Sequence, residues 1–96
     1  MFSKIKQVQE LRSQANQIKK ALAEETVEGA GAWGKLKIKM DGNQEVKGVE
    51  VDDELLKDKS KLQSAIAEAT NDAIKKAQKV MAQKMSQMGG FNIPGM

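Results

Sequence analysis

The residues of this sequence able to act on a partner are its cations. Lys+Arg number 16 of 96 residues, and spacing gathers nine of them into two sets. Lys4, Lys6, Arg12, Lys19 and Lys20 form one, and Lys75, Lys76, Lys79 and Lys84 the other. An ammonium group beside a phosphate releases a condensed counterion, so such sets suit binding to a polyanion that weakens with salt. Arg12 is the only arginine. Reading base edges favours planar, bidentate groups, so a lysine-dominated set points to backbone contacts and weak sequence preference. Gln7, Gln14 and Gln83 remain as candidates for base contact.

Other chemistry lacks its usual residues. With Cys 0 and His 0 there is no thiol nucleophile, no imidazole base, and no Cys- or His-built metal site. No catalytic residue, metal ligand, cofactor or small-molecule substrate is expected, and the protein is not expected to be an enzyme. Asp52, Asp53 and Glu54 lack the spaced ligands and glycine of a calcium loop. They read as a solvated loop that starts a helix. Gly29, Gly31 and Gly34 around Trp33 are not followed by a GxxxxGK[ST] string, so they are no phosphate loop. They read as a bend between strands. The Met1 end shows no apolar run, so neither a signal peptide nor a membrane span is expected, and the protein is expected in the cytoplasm.

Charge is segregated along the chain. Residues 1–23 hold five cations against one acid, +4; residues 59–96 hold six against two, +4; residues 24–58 hold five against ten, −5. Basic arms therefore flank an acidic centre, a pattern that bears on partner choice.

The elements that must position these charges follow from periodicity. Val8, Leu11, Ala15, Ile18 and Leu22 recur at spacings of 3 and 4, predicting a helix from a Ser3 cap to about Ala23. Its seam suits either a coiled-coil contact or ordinary packing on the same domain. Residues 25–30 read as a first strand. Leu36, Ile38 and Met40 alternate with lysines in a second, Asp41-Gly42 marks a hairpin turn, and Val49 and Val51 carry a third. Val46 stands on the other parity; one bulged residue near Lys47-Gly48 would return all three valines to one face. Ser60-Lys61-Leu62-Gln63 fits a capping box opening a second helix to Met88, and residues 89–96 read as a flexible Gly/Pro/Met tail. The domain is thus 1–88, an α+β chain of long helix, three-stranded antiparallel sheet and long helix.

Two helices longer than the sheet must overhang it. Packed antiparallel, they would bring Leu22 near Leu62 and gather Lys4 and Lys6 with Lys75, Lys76, Lys79 and Lys84 at one tip. A three-stranded sheet also leaves edges open, which a second copy would cover. A homodimer is expected, joined through Trp33, Leu36, Ile38, Val49 and Val51, with projecting arms that straddle a duplex.

The stretch KLKIKMDGNQEVKGVEVDDELL, the later AIAEATNDAIKKAQ and the tail GGFNIPGM together resemble the YbaB/EbfC family of bacterial nucleoid-associated proteins. The likeness covers nearly the whole chain. It rests on the D-G turn, the V-E-V-D-x-x-L-L exit and Asn71-Asp72-Ala73. It implies a tweezer-like homodimer that binds double-stranded DNA through its long helices in the nucleoid, without enzymatic activity. Trp33 stands where the family's members usually carry small or aliphatic residues. The alternative is a prefoldin-like, protein-binding module gripping clients through Met81, Met85, Met88 and Met96.

Overall fold

The computed structural model describes residues 2–87, with side chains from Val8 onward; the tail expected over 89–96 lies outside them. Helix α1 (Phe2–Ala23) leads into strand β1 (Thr26–Gly31), a 3-10 turn (Ala32–Gly34), strands β2 (Leu36–Asp41) and β3 (Val46–Val51), a second 3-10 turn (Asp53–Lys57) and helix α2 (Lys59–Gln87). The strands form one antiparallel sheet in the order β1-β2-β3. The α+β reading holds.

The alternation in β2 does what half-buried strands do. Leu36, Ile38 and Met40 are buried while Lys39 between them is exposed. Lys39 pairs with Gly48 and Met40 with Val46, which leaves Lys47 as the one extra residue of a bulge. Val46, Val49 and Val51 therefore stand opposite Met40, Ile38 and Leu36, on the same face of the sheet.

Over β1 and β2 that face is covered by α2, and the glycines of β1 decide how closely. Gly29 and Gly31 lie inside β1 rather than in the bend expected from their number. A Cβ on Gly29 would sit 2.2 Å from the Ala69 carbonyl oxygen and 2.6 Å from the Ala73 Cβ; on Gly31 it would sit 2.3 Å from the Ala65 carbonyl oxygen. Ala65, Ala69, Ala73 and Ala77 recur every fourth residue and are all buried, so α2 presents its smallest stripe to the smallest part of the sheet. The core is modest: these alanines with Leu36, Ile38, Met40 and Leu55. Each large side chain contributes about 1.5–3 kcal/mol by leaving water.

The helix starts come from carboxylates. Asp58, not Ser60, caps α2, its Oδ1 accepting from Lys61 N at 3.1 Å. Asp52 Oδ1 likewise accepts from Glu54 N at 2.9 Å at the head of the second 3-10 turn, as expected of a solvated acidic loop. An acid at a helix start is favoured over serine by the positive end of the dipole.

The helices do not pair as expected. Gly31 meets Ala65, Gly29 meets Ala69 and Ala73, and Glu25 meets Lys84, so α2 runs antiparallel to β1 along the whole sheet. Leu22 is therefore near the Lys84 end, roughly 33 Å along α2 from Leu62 at 1.5 Å per residue. The antiparallel tip that would have joined Lys4 and Lys6 to the lysines of α2 is not formed. Leu22 is buried, yet Val8 and Leu11 farther out on α1 are exposed. Their seam has no cover among the described residues, and the molecule measures 63 × 24 × 19 Å.

The close approach makes a direct test. Gly29→Ala should cost at least about 2 kcal/mol, since backbone rather than a flexible side chain must give way. Gly48→Ala, with nothing within 4 Å, should change stability by less than about 0.5 kcal/mol. Urea unfolding of the two variants compares them.

Candidate nucleic-acid interface

Each strand edge of a sheet exposes backbone groups, and here α2 closes one of them. Ala30 N–H donates to Asp72 Oδ2 at 3.0 Å, and Lys76 Nζ donates to the Glu28 carbonyl at 2.8 Å. Lys76 and Asp72 also pair with each other at 3.2 Å, one helical turn apart. The Ala30 N–H, then Lys76, hold the Asp72 carboxyl below its ordinary 3.8; hydrogen bonds to the charged form favour it. Lys76 was expected to face a polyanion, but it is anchored on β1 instead.

Lys84 is engaged too. Its ammonium pairs with Glu25 at 3.0 Å and ties α2 to the root of α1. Among the sheet lysines, Lys37 pairs with Glu28 and Lys39 with Glu50, both at 3.8 Å. Lys47 lies 3.4 Å from Glu45 and 3.7 Å from Asp41. Lys35 bonds to Glu54, which raises its pKa above the ordinary 10.5.

The remaining expected cations have no ion pair among the described residues: Arg12, Lys19 and Lys20 on α1, and Lys75 and Lys79 on α2. Lys75, Gln78 and Lys79 line one shallow groove along α2, next to Asp72 and Lys76. Lys57, Lys59 and Lys61 are likewise without such a pair, but they lie in sequence next to Asp52, Asp53, Glu54 and Asp58. The side chains of Lys4, Lys6 and Gln7 fall outside the described ones.

The root of α1 is fixed by the β2–β3 turn. Gly42 N–H donates to the Leu22 carbonyl at 2.9 Å, and Asn43 Nδ2 to the Lys19 carbonyl at 2.9 Å. The Leu22 carbonyl belongs to the last turn of α1, whose acceptors have no partner within the helix, and the Lys19 carbonyl lies just before it. The turn is itself held by buried Asp41, whose Oδ1 accepts from Asn43 N at 2.9 Å and Glu45 N at 3.0 Å. Gly42 marks the turn in the sequence, but the positive φ belongs to Gln44 (63°). A Cβ at Gly42 would press on Leu22 at 2.9 Å, so that glycine makes room for the arm. Lys20 stands at this root, and Arg12 lies roughly 12 Å farther out along α1.

The residues expected at a contact with a second copy separate into two groups. Leu36 and Ile38 are enclosed in the chain's own core under α2 and are not available, because the strand face that buries them is the one α2 covers. Val49 and Val51 lie beyond the helix and are exposed, as are Val46 and Ile66. Trp33 is exposed over its whole side chain, 103%, on a turn where Ala32, Trp33 and Gly34 all take positive φ (52°, 59° and 89°). A left-handed backbone costs a residue with a Cβ roughly 1–2 kcal/mol. Met81 and Met85 are half-buried, so they offer no open apolar grip; Met88 and Met96 lie outside the described residues.

A helix, a three-stranded sheet with one edge closed by a carboxylate and lysine, and a long second helix are thus arranged so that, among the described residues, both helices carry cations without an ion pair. The model of the YbaB/EbfC DNA-binding family matches residues 1–91. The chain belongs to this family. A nucleoid-associated protein of Syntrophobacter fumaroxidans is 36% identical over 98 residues, covering 99% of this chain and 89% of the relative. One of Hahella chejuensis is 37% identical over 92 residues, covering 94% and 85%. The crystal structure of an uncharacterized protein from Helicobacter pylori shares the fold at a TM-score of 0.69 and 20% identity, covering 84% of this chain and 96% of that one.

Within this YbaB/EbfC chain, Asn71-Asp72-Ala73 now has a physical reading: Ala73 lies against Gly29, and Asp72 closes the β1 edge. In the sequence these three residues carried only the family resemblance, and the partner of Asp72 was missed. The Asp72–Lys76 spacing on the flank of the alanine stripe was the available signal. Among the described residues no group of three His, Cys, Asp or Glu is placed to hold a metal, and no helix is long and apolar enough to cross a membrane.

Because the folded Asp72 has a depressed pKa, its stabilisation is fully present above 3.8 and is lost as pH falls through the lower folded value. Asp72→Asn keeps an acceptor for Ala30 N–H but does not titrate. Melting temperature against pH should therefore fall less steeply in acid for the variant than for the wild type, with the two curves, apart at neutral pH, converging below about pH 4.

Proposed function

We propose that this protein is a nucleoid-associated protein of the cytoplasm that binds double-stranded DNA as a homodimer. Contacts run chiefly to phosphates, and sequence preference is weak. The observation that carries this reading is the distribution of unpaired cations. Lys35, Lys37, Lys39, Lys47, Lys76 and Lys84 each have a carboxylate within 4 Å, whereas Arg12, Lys19, Lys20, Lys75 and Lys79 on the two helices have none among the described residues. A phosphate approaching the helices therefore meets cations that hold no carboxylate in direct contact, although Asp72 lies near Lys75 and the groove of Lys19 and Lys20 also holds Asp41 and Glu45. The names of the relatives support the same partner.

Self-association is supported by the asymmetry of the sheet. The β1 edge is closed by Asp72 and Lys76, while β3 has an open edge and carries Val46, Val49 and Val51 uncovered. A small core gains most from a second copy on that side. Trp33 sits at the Val51 end, since Gly31 and Leu36, which flank its turn, pair with each other and Leu36 pairs with Val51. It joins the proposed contact, and its strained, exposed position is then compensated by burial.

Light scattering should give twice the 10.5 kDa chain mass at micromolar concentration, and Val49→Lys with Val51→Lys should give a monomer. The emission of Trp33, the only tryptophan, should move to the red in that monomer. A wild-type monomer, or an unchanged spectrum, removes the contact as described.

For DNA, Lys75→Glu with Lys79→Glu should weaken binding to any duplex by at least about tenfold at low salt. Lys37→Glu with Lys39→Glu, on the paired face of the sheet, should leave it within about twofold. Equal losses in the two variants would mean that net charge, not its placement, governs binding.

A further inference from the structure

Helix α1 has an outward face unlike that of α2. Gln9, Arg12, Ser13, Asn16, Gln17 and Lys20 recur at helical spacing and line one continuous shallow groove. All six are exposed, and none has a side-chain hydrogen bond or ion pair among the described residues. The face lies opposite the apolar seam of Val8, Leu11, Ala15 and Ile18, and Glu10, the only acid in residues 1–23, lies about a quarter-turn to its side. On α2 the corresponding groove is dominated by ammonium groups, which are point charges: it holds Lys75, Lys76 and Lys79 with Asp72 and a single amide, Gln78.

The centre line of the α1 face is Gln9, Ser13, Asn16 and Lys20, with Arg12 and Gln17 on its flanks. A side-chain amide pairs bidentately with adenine N6 and N7 in the major groove, which is about 12 Å wide and admits a helix. Residues on the centre line would meet the groove floor, and those on the flanks the phosphate walls. Gln9 and Asn16 are seven residues apart, about 10.5 Å along the axis, close to three base-pair steps of roughly 3.4 Å.

We infer that α1 is the reading element of the duplex interface, with Gln9 and Asn16 on base edges and Arg12 on the backbone beside them. This rests on the duplex-binding reading and deepens it: α2 supplies affinity without sequence, and the weak preference that exists resides on α1.

The full-length protein is tested by selection from a randomised DNA duplex library. The selected sequences should be enriched in adenines about three base pairs apart. Against a scrambled duplex, the wild-type preference should be about tenfold and should collapse towards one in both Gln9→Ala and Asn16→Ala. The slope of affinity against salt, which counts phosphates, should stay at its wild-type value in both, whereas a loosened α1 would lower it. Duplex RNA, whose major groove side chains do not enter, should compete poorly.

Binding without an enriched motif, a motif kept by both variants, or equal competition by duplex RNA overturns the inference and leaves duplex binding standing. Failure to bind any duplex overturns both.

Discussion

The near-contact of two backbones, α2 on β1, sets the rest of the structure. Where Gly29 lies, the Ala69 carbonyl occupies the place of a side chain, and the alanine stripe lets the helix settle onto that strand rather than onto the middle of the sheet. Three features follow. Asp72 and Lys76 come within hydrogen-bonding reach of the β1 edge. The helix is drawn away from β3, whose valines stay uncovered. The far end of α2 is delivered to the root of α1, where Lys84 meets Glu25. A sheet of three strands has two vulnerable edges; one helix has closed one of them and, by doing so, left the other open.

Much of this was legible in the sequence, and the parts that were not have a common cause. The strands, the hairpin and the bulge at Lys47 could be read because side-chain parity is a local property, and Val46 out of step with Val49 admits few explanations. The existence and extent of both helices followed from spacing in the same way. What failed was anything requiring knowledge of which element lies against which. Gly29 and Gly31 were read as a bend, since composition cannot distinguish a glycine that frees the backbone from one that makes room. The helix pairing was placed from lengths alone, and lengths say that something must overhang without saying from which end. Leu36 and Ile38 were assigned to a second copy because a half-buried pattern does not reveal whose atoms do the burying.

Charge suffered from the same limit, and there the structure adds most to the functional reading. Counting lysines per segment gave two basic arms, yet an ion's reach depends on its neighbours. A lysine with a carboxylate at 3–4 Å is, beyond a Debye length of about 8–10 Å, close to a dipole. Such exposed pairs stabilise the fold by little, from nothing to about 1 kcal/mol each. Their larger consequence is to remove the sheet, Lys76 and Lys84 from the positive field that a distant polyanion feels.

Pairing therefore sharpens what segregation by segment only outlined. Among the described residues the unpaired cations away from the acidic 52–58 stretch are Arg12, Lys19 and Lys20 on one helix and Lys75 and Lys79 on the other, and the two helices are held to each other at the root of α1 by Lys84 on Glu25. That root is also where Gly42 N–H and the Asn43 side-chain amide bond the carbonyls of Leu22 and Lys19, so the direction of α1 is set by hydrogen bonds to its C-terminal carbonyls. An arm carrying few charges gains from being aimed in this way, because each contact it makes no longer has to offset the entropy of an arm free to swing.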